Sequence, residues 1–196
     1  MNRSAKIERK TKESSIAVSI DFDTPGESEV TTSLPFFDHV LGSCAFHGGF
    51  TMKVAASGDI DVDPHHVVED TGIVVGSCLN KILEEGGAVR RFGHAVVPMD
   101  EALSQVTIDV GGRPTLVYLA EYPQTHAGNF PLWLFREFFS GLSMGAKISL
   151  HAECRYGENS HHMAEALFKA LGRAIGQAYQ SIGGDAGDRM STKGRI

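Results

Sequence analysis

Two spacings of apolar residues divide this chain into elements. Alternating, β-rich segments at 15–22 and 29–32, and again at 93–97, 102–109 and 115–122, predict strands. A spacing of three to four runs through Val67, Thr71, Val74, Val75, Cys78 and Ile82, and again through Met163, Leu167, Ala170, Leu171, Ala174 and Ala178. It predicts two amphipathic helices. Ahead of each lies a shorter predicted helix followed by a strand, 36–46 then 50–56, and 132–142 then 146–153. Gly111-Gly112 reads as a hairpin turn. Residues 1–14 are polar and charged, without the apolar run of a secretory signal, and no element is assigned to them.

The segment His65-His66-Val67-Val68-Glu69 recurs as His161-His162-Met163-Ala164-Glu165, displaced by 161 − 65 = 96 residues, close to half of the chain. Such an offset marks an internal repeat. Each half then runs several strands, helix, strand, helix. The expected fold is α+β: two tandem repeats, each a mainly antiparallel four-stranded sheet with two helices on one face. The boundaries fall at 1–92 and 93–196, with Gly86-Gly87 through Arg91 as the join.

Both His-His-x-x-Glu motifs open their helices. Neighbours on a helix point about 100° apart, so His65 and His66 do not easily turn both rings to one ion, whereas Glu69 lies within a turn of each. The pattern suits two ions, or one ion here and another supplied from elsewhere. A lone histidine pair is more often surface or core histidine than ligand, but two copies at matched positions in a repeat point to metal. Imidazole and carboxylate without thiolate favour manganese, iron, cobalt or zinc over a structural zinc knuckle or a calcium cage. A third candidate in each half lies on the preceding helix. His39 precedes His65 by 65 − 39 = 26 residues, and Glu137 precedes His161 by 161 − 137 = 24. Spacing alone also allows Glu137 to be an ordinary exposed carboxylate.

Composition narrows the class. With 196 residues and 42% hydrophobic content, the chain can bury a real core. No apolar run reaches the roughly 18 residues of a membrane span, so a cytoplasmic protein is expected. A net charge of −6 argues against broad binding to nucleic acid or an acidic membrane. A small anionic substrate needs only a local cluster of bases, for which Arg90, Arg91, Arg113, Lys169 and Lys193 are candidates. Cys44, Cys78 and Cys154 are odd in number and form no C-x-x-C, so they read as core filler rather than a disulfide framework or a thiolate site.

Longer motifs in this order resemble the imidazoleglycerol-phosphate dehydratase family over nearly the whole chain. They are Arg9-x-Thr11-x-Glu13, Phe36-Phe37-Asp38-His39-Val40-Leu41, Asp63-Pro64-His65-His66 through Gly72, and Arg91-Phe92-Gly93. Pro98-Met99-Asp100-Glu101-Ala102-Leu103, Gly112-Arg113-Pro114, Asn159-Ser160-His161-His162 through Ala170, and Ser191-Thr192-Lys193-Gly194 continue the match. The resemblance implies dehydration of imidazole glycerol phosphate to imidazole acetol phosphate in histidine biosynthesis. It implies two manganese ions per active site, completed between subunits of a homo-oligomer, a cage of roughly 24 chains. His39, His65, His66, Glu69, His161, His162 and Glu165 are then metal ligands. Glu13 is a substrate-contacting acid/base, with Glu69 and Glu165 as candidates to share proton transfer. Arg91, Arg113, Lys169, Ser191 and Lys193 hold the phosphate.

Two positions depart from the family pattern. Glu137 stands where the family usually has a metal-binding histidine, and Ser43 where it has a glutamine near the substrate. The first is still expected to bind metal, since carboxylate replaces imidazole at a hard-ion site. The departures leave two further readings open, a paralogue acting on a different imidazole or polyol phosphate and a non-catalytic metal-stapled assembly.

Overall fold

The computed structural model describes residues 3–24 and 26–183. In the first half, β1 (Ser4–Lys10), β2 (Ser14–Asp21) and β3 (Glu29–Thr31) lead into α1 (Pro35–Gly48), β4 (Thr51–Gly58) and α2 (His65–Glu85). The second half has β5 (Phe92–Met99), β6 (Ala102–Asp109), β7 (Thr115–Leu119) and a short hairpin, β8 (His126–Ala127) with β9 (Phe130–Pro131). It closes with α3 (Leu134–Ala146), β10 (Ser149–Tyr156) and α4 (Ser160–Ala178). The two sheets share one topology, β1-β2-β4-β3 and β5-β6-β10-β7. Three strands of each are antiparallel and the last runs parallel to its neighbour. The duplicated α+β fold is therefore present.

Alternation sets the buried face. Ile16, Val18 and Ile20 of β2 stand opposite Ala56, Val54 and Met52 of β4, all buried, with α2 packed over this sheet. Val106 and Ile108 pair with Ala152 and Leu150 beneath α4 in the same way. Local chemistry fixes the helix starts. Pro35 occupies the first turn of α1, where its missing N–H has no partner to lose. The Asn159 side chain caps α4 by accepting from the His161 N–H at 2.9 Å. Asp63 does the same for the His65 N–H at 2.9 Å.

Two expectations are corrected. Residues 4–10 form β1, an edge strand whose residues beyond Ala5 are mostly exposed, so no alternation marks it. Gly111-Gly112 does not close a hairpin of neighbouring strands, because β10 lies between β6 and β7.

The helices pair across the halves, α2 with α3 and α1 with α4. Glycines allow backbone to meet backbone. A Cβ on Gly141 would stand 2.5 Å from the Glu69 carbonyl oxygen, and one on Gly76 would stand 2.5 Å from that of Leu142. Gly72 and Gly145 meet the Phe138 and Ile73 carbonyls more closely still, and Gly172 and Gly176 meet those of Cys44 and Gly48. Residue numbers rise together along both contacts, so each pair runs parallel and its two amino-terminal turns lie side by side. Buried rings fill the space between the pairs, with Phe135 and Phe168 at 4.8 Å and Phe37 and Phe138 at 5.4 Å between centroids.

Tyr179 is fully buried and stacked on Phe22 at 5.8 Å, yet its hydroxyl has no hydrogen-bond partner among the described residues. Desolvating that group without a partner costs stability. Tyr179→Phe should therefore raise stability by about 1 kcal/mol, read as a higher denaturant midpoint. A fall of the same size would mean that the hydroxyl is bonded.

Candidate metal centre

The paired amino-terminal turns assemble two ligand groups, each from both halves. His39 of α1 meets His161 and Glu165 of α4, and Glu137 of α3 meets His65 and Glu69 of α2, with the offered atoms of each group within 4.8 Å of one another. In the first group Glu165 Oε2 lies 3.0 Å from His39 Nε2 and 3.1 Å from His161 Nε2. In the second, His65 Nε2 lies 3.6 Å from Glu69 Oε2. His39 and Glu137 were expected beside the motif of their own half. Each joins the other half's motif instead, because α1 packs on α4 and α3 on α2. The carboxylates sit near helix starts, where the backbone dipole favours anions.

The second histidine of each motif faces elsewhere. The His65 and His66 rings are 87° apart and those of His161 and His162 are 88° apart. His66 Nδ1 lies 3.3 Å from Asp59, and His162 Nδ1 lies 2.8 Å from Glu101. A carboxylate on one ring nitrogen fixes the tautomer and frees the other nitrogen as a ligand, the usual support for a metal-binding imidazole. The hydrogen bond to Asp59, then the charge of Glu13, raises the pKa of His66, and the bond to Glu101 raises that of His162. Glu101 falls to about 2, held first by His162 and then by the Asn159 N–H. Burial pushes Glu165 up, but hydrogen bonds from His39 and Lys169 outweigh it and bring the group down to about 2.

Glu13 occupies the turn between β1 and β2. Its N–H donates to Thr11 Oγ1 at 3.1 Å, and its Oε2 stands 3.7 Å from His66 Nε2. Asp70 anchors that turn to α2 by accepting from Arg9 Nε at 3.0 Å and from the Ser14 hydroxyl.

The anion-binding candidates are split. Lys169 Nζ lies 2.9 Å from Glu165 Oε1, beside the first ligand group. Arg91 instead forks onto Asp109, at 2.7 and 3.2 Å, with its guanidinium 4.8 Å over the Phe92 ring. Its backbone N–H donates to Ala178. Since 178 − 165 = 13 residues of α4 separate the two places, they are roughly 20 Å apart. Arg113 is exposed near Ser149, which pairs with Asp109, at the same end as Arg91. Ser191 and Lys193 lie outside the described residues.

The roles of several groups were not read from the sequence. Asp59 precedes His66 by 7 residues and Glu101 precedes His162 by 61, so the repeat offset does not relate them. His47, His94 and Arg173 line one recess on the α4 face, and burial, then the charges of Lys169 and Arg173, lowers the pKa of His47. Of the three, Arg173 adds positive charge one turn from Lys169 on α4.

Three kinds of likeness agree with this geometry. The imidazoleglycerol-phosphate dehydratase family model matches residues 32–175, which hold every residue of both ligand groups. The imidazoleglycerol-phosphate dehydratase of Phenylobacterium zucineum is 47% identical over 194 residues, 99% of each chain. That of Citrifermentans bemidjiense is 49% identical over 196 residues, 100% of each. The crystal structure of the Staphylococcus aureus dehydratase superposes with a TM-score of 0.82 at 34% identity, covering 91% of this chain and 99% of that one. The Pyrococcus furiosus structure gives 0.84 at 35%, covering 97% and 100%. A shared topology, a shared length and end-to-end identity near one half leave one assignment: the chain belongs to the imidazoleglycerol-phosphate dehydratase family.

Proposed function

We propose that this chain removes water from imidazole glycerol phosphate, giving imidazole acetol phosphate for histidine biosynthesis, at a site holding two manganese ions. The observation that carries the reading is the pair of imidazole–carboxylate groups, each built from both halves and each offering only three ligands. Three ligands leave coordination positions for substrate. His39, His161 and Glu165 hold one ion, and His65, Glu69 and Glu137 hold the other. A bound divalent ion supplies Lewis acidity to the substrate's imidazole ring.

Glu13, as a carboxylate, accepts the proton from the carbon beside the departing hydroxyl. Glu13 passes that proton to the hydroxyl, which leaves as water, and the resulting enol becomes the ketone. Glu69 and Glu165 are committed to their ligand groups, which leaves Glu13 the better placed of the three. Lys169, with Arg173 one turn further along α4, supplies positive charge for the phosphate. Ser43 leaves the glutamine contact of the family unreplaced, and the remaining polar groups hold the substrate without it.

The site spans subunits of a homo-oligomer, a cage of roughly 24 chains as in the family. His66 and His162 belong to neither ligand group of their own chain, their Nε2 atoms lying 3.7 Å from Glu13 Oε2 and 3.6 Å from Asp100 Oδ2, and Arg91 and Arg113 sit far from Lys169. A second chain can supply all four. The cytoplasm suits an enzyme whose thiols, Cys44, Cys78 and Cys154, are all free. Among the described residues no helix is long and apolar enough to cross a membrane.

The test is turnover of imidazole glycerol phosphate by manganese-loaded protein, with light scattering before and after chelation. Turnover that requires metal, and a particle that shrinks on chelation, are expected. An inactive loaded enzyme would remove the assigned reaction. An unchanged mass after complete metal removal would remove the shared sites.

A further inference from the structure

The two ligand groups share a scaffold but differ in charge. Glu165 turns Oε2 to His39 and His161 and gives Oε1 to Lys169 at 2.9 Å. The position equivalent to Lys169 in the first repeat, 169 − 96 = 73, is Ile73. Accordingly, no lysine or arginine pairs with Glu69 or Glu137 among the described residues, and Glu69 keeps both oxygens available. His65, Glu69 and Glu137 together bring a formal charge of −2. His39, His161, Glu165 and Lys169 bring zero. A hard divalent cation is held more firmly by two free carboxylates than by one shared with an ammonium group.

We propose that the two centres load unequally. The His65–Glu69–Glu137 centre takes the first ion and retains it, while Lys169 keeps the His39–His161–Glu165 centre the weaker and more readily exchanged. The inference rests on the metal-dependent reading above. Completion by a histidine from a second chain would add one neutral imidazole to each centre and leave the difference in place. Lys169 is in this respect a positioning residue for Glu165, restricting it to one metal-facing oxygen.

Metal-stripped full-length protein titrated with Mn2+, with free ion read by electron paramagnetic resonance, tests this. About one ion per chain should bind tenfold or more tightly than the next. Lys169→Met, which keeps length without charge, should tighten the weaker class by about tenfold and leave the tighter class alone. Glu137→Gln should loosen only the tighter class, by about tenfold or more. Circular dichroism confirms that each variant is folded. Equal affinities in the parent protein, or a Lys169→Met change confined to the tighter class, would overturn the inequality while the metal-dependent reading stands. Absence of any bound Mn2+ would sink both.

Discussion

Replacing Glu13 by glutamine should lower turnover by about 10²–10⁴-fold while bound metal stays at the parental level. Glutamine keeps the shape of the side chain but cannot accept a proton. The turn that carries Glu13 is held by its own N–H to Thr11 and by its carbonyl, which accepts from the Asp59 N–H at 3.2 Å. None of these bonds involves the carboxylate, so the substitution leaves the backbone in place. Glu13 also lies outside both three-ligand groups, which separates its effect from loss of metal. Steady-state kinetics together with metal content per chain distinguish the two. A rate within a few-fold of the parent enzyme would exclude Glu13 from proton transfer.

The second large effect is expected at Gly141. An added methyl group there meets the Glu69 carbonyl oxygen at 2.5 Å, a backbone atom that cannot swing aside. Gly141→Ala must push α3 away from α2, and with it Glu137 away from His65 and Glu69. Overpacking of this kind costs typically 1–3 kcal/mol, occasionally more. We expect about 3 kcal/mol at Gly141, and, with Glu137 as a ligand in the proposed site, one fewer bound ion per chain. Gly42 is the internal control, because it lies in α1 and a methyl group added there meets nothing within 4 Å. Gly42→Ala should be neutral or stabilising by up to about 1 kcal/mol, since alanine favours a helix interior. Denaturant unfolding and metal analysis of the two variants provide the comparison. Equal stability would show that the crossing tolerates separation.

Periodicity and the repeated motif made the elements legible, because burial on one face of a helix or strand imposes a local spacing that a sequence displays. The long helices α2 and α4 and strands β2 and β6 were readable on that ground. Strand β1 was not, since an edge strand with mostly exposed residues carries no such imprint. The sequence also marked the histidines and glutamates of both motifs, but it did not mark which residues meet in one ligand group. His39 lies 126 residues from Glu165, and only the packing of α1 on α4 makes them neighbours. The partnerships of Asp59 and Glu101 with the histidines were invisible for a related reason. They do equivalent work on His66 and His162 from positions that the repeat does not relate, so symmetry of function is not mirrored by symmetry of sequence.

The crossing of helices between halves has an evolutionary consequence. A half-length chain carrying one sheet and two helices could have formed the same arrangement as a symmetric pair, each copy lending its first helix to the motif of the other. Both centres of such a pair are identical by symmetry, and any mutation alters them together. Joining the two copies into one gene removes that constraint. Histidine at 39 can then coexist with glutamate at 137, and isoleucine at 73 with lysine at 169. Fusion of such a pair would turn one ligand group seen twice into two that vary independently.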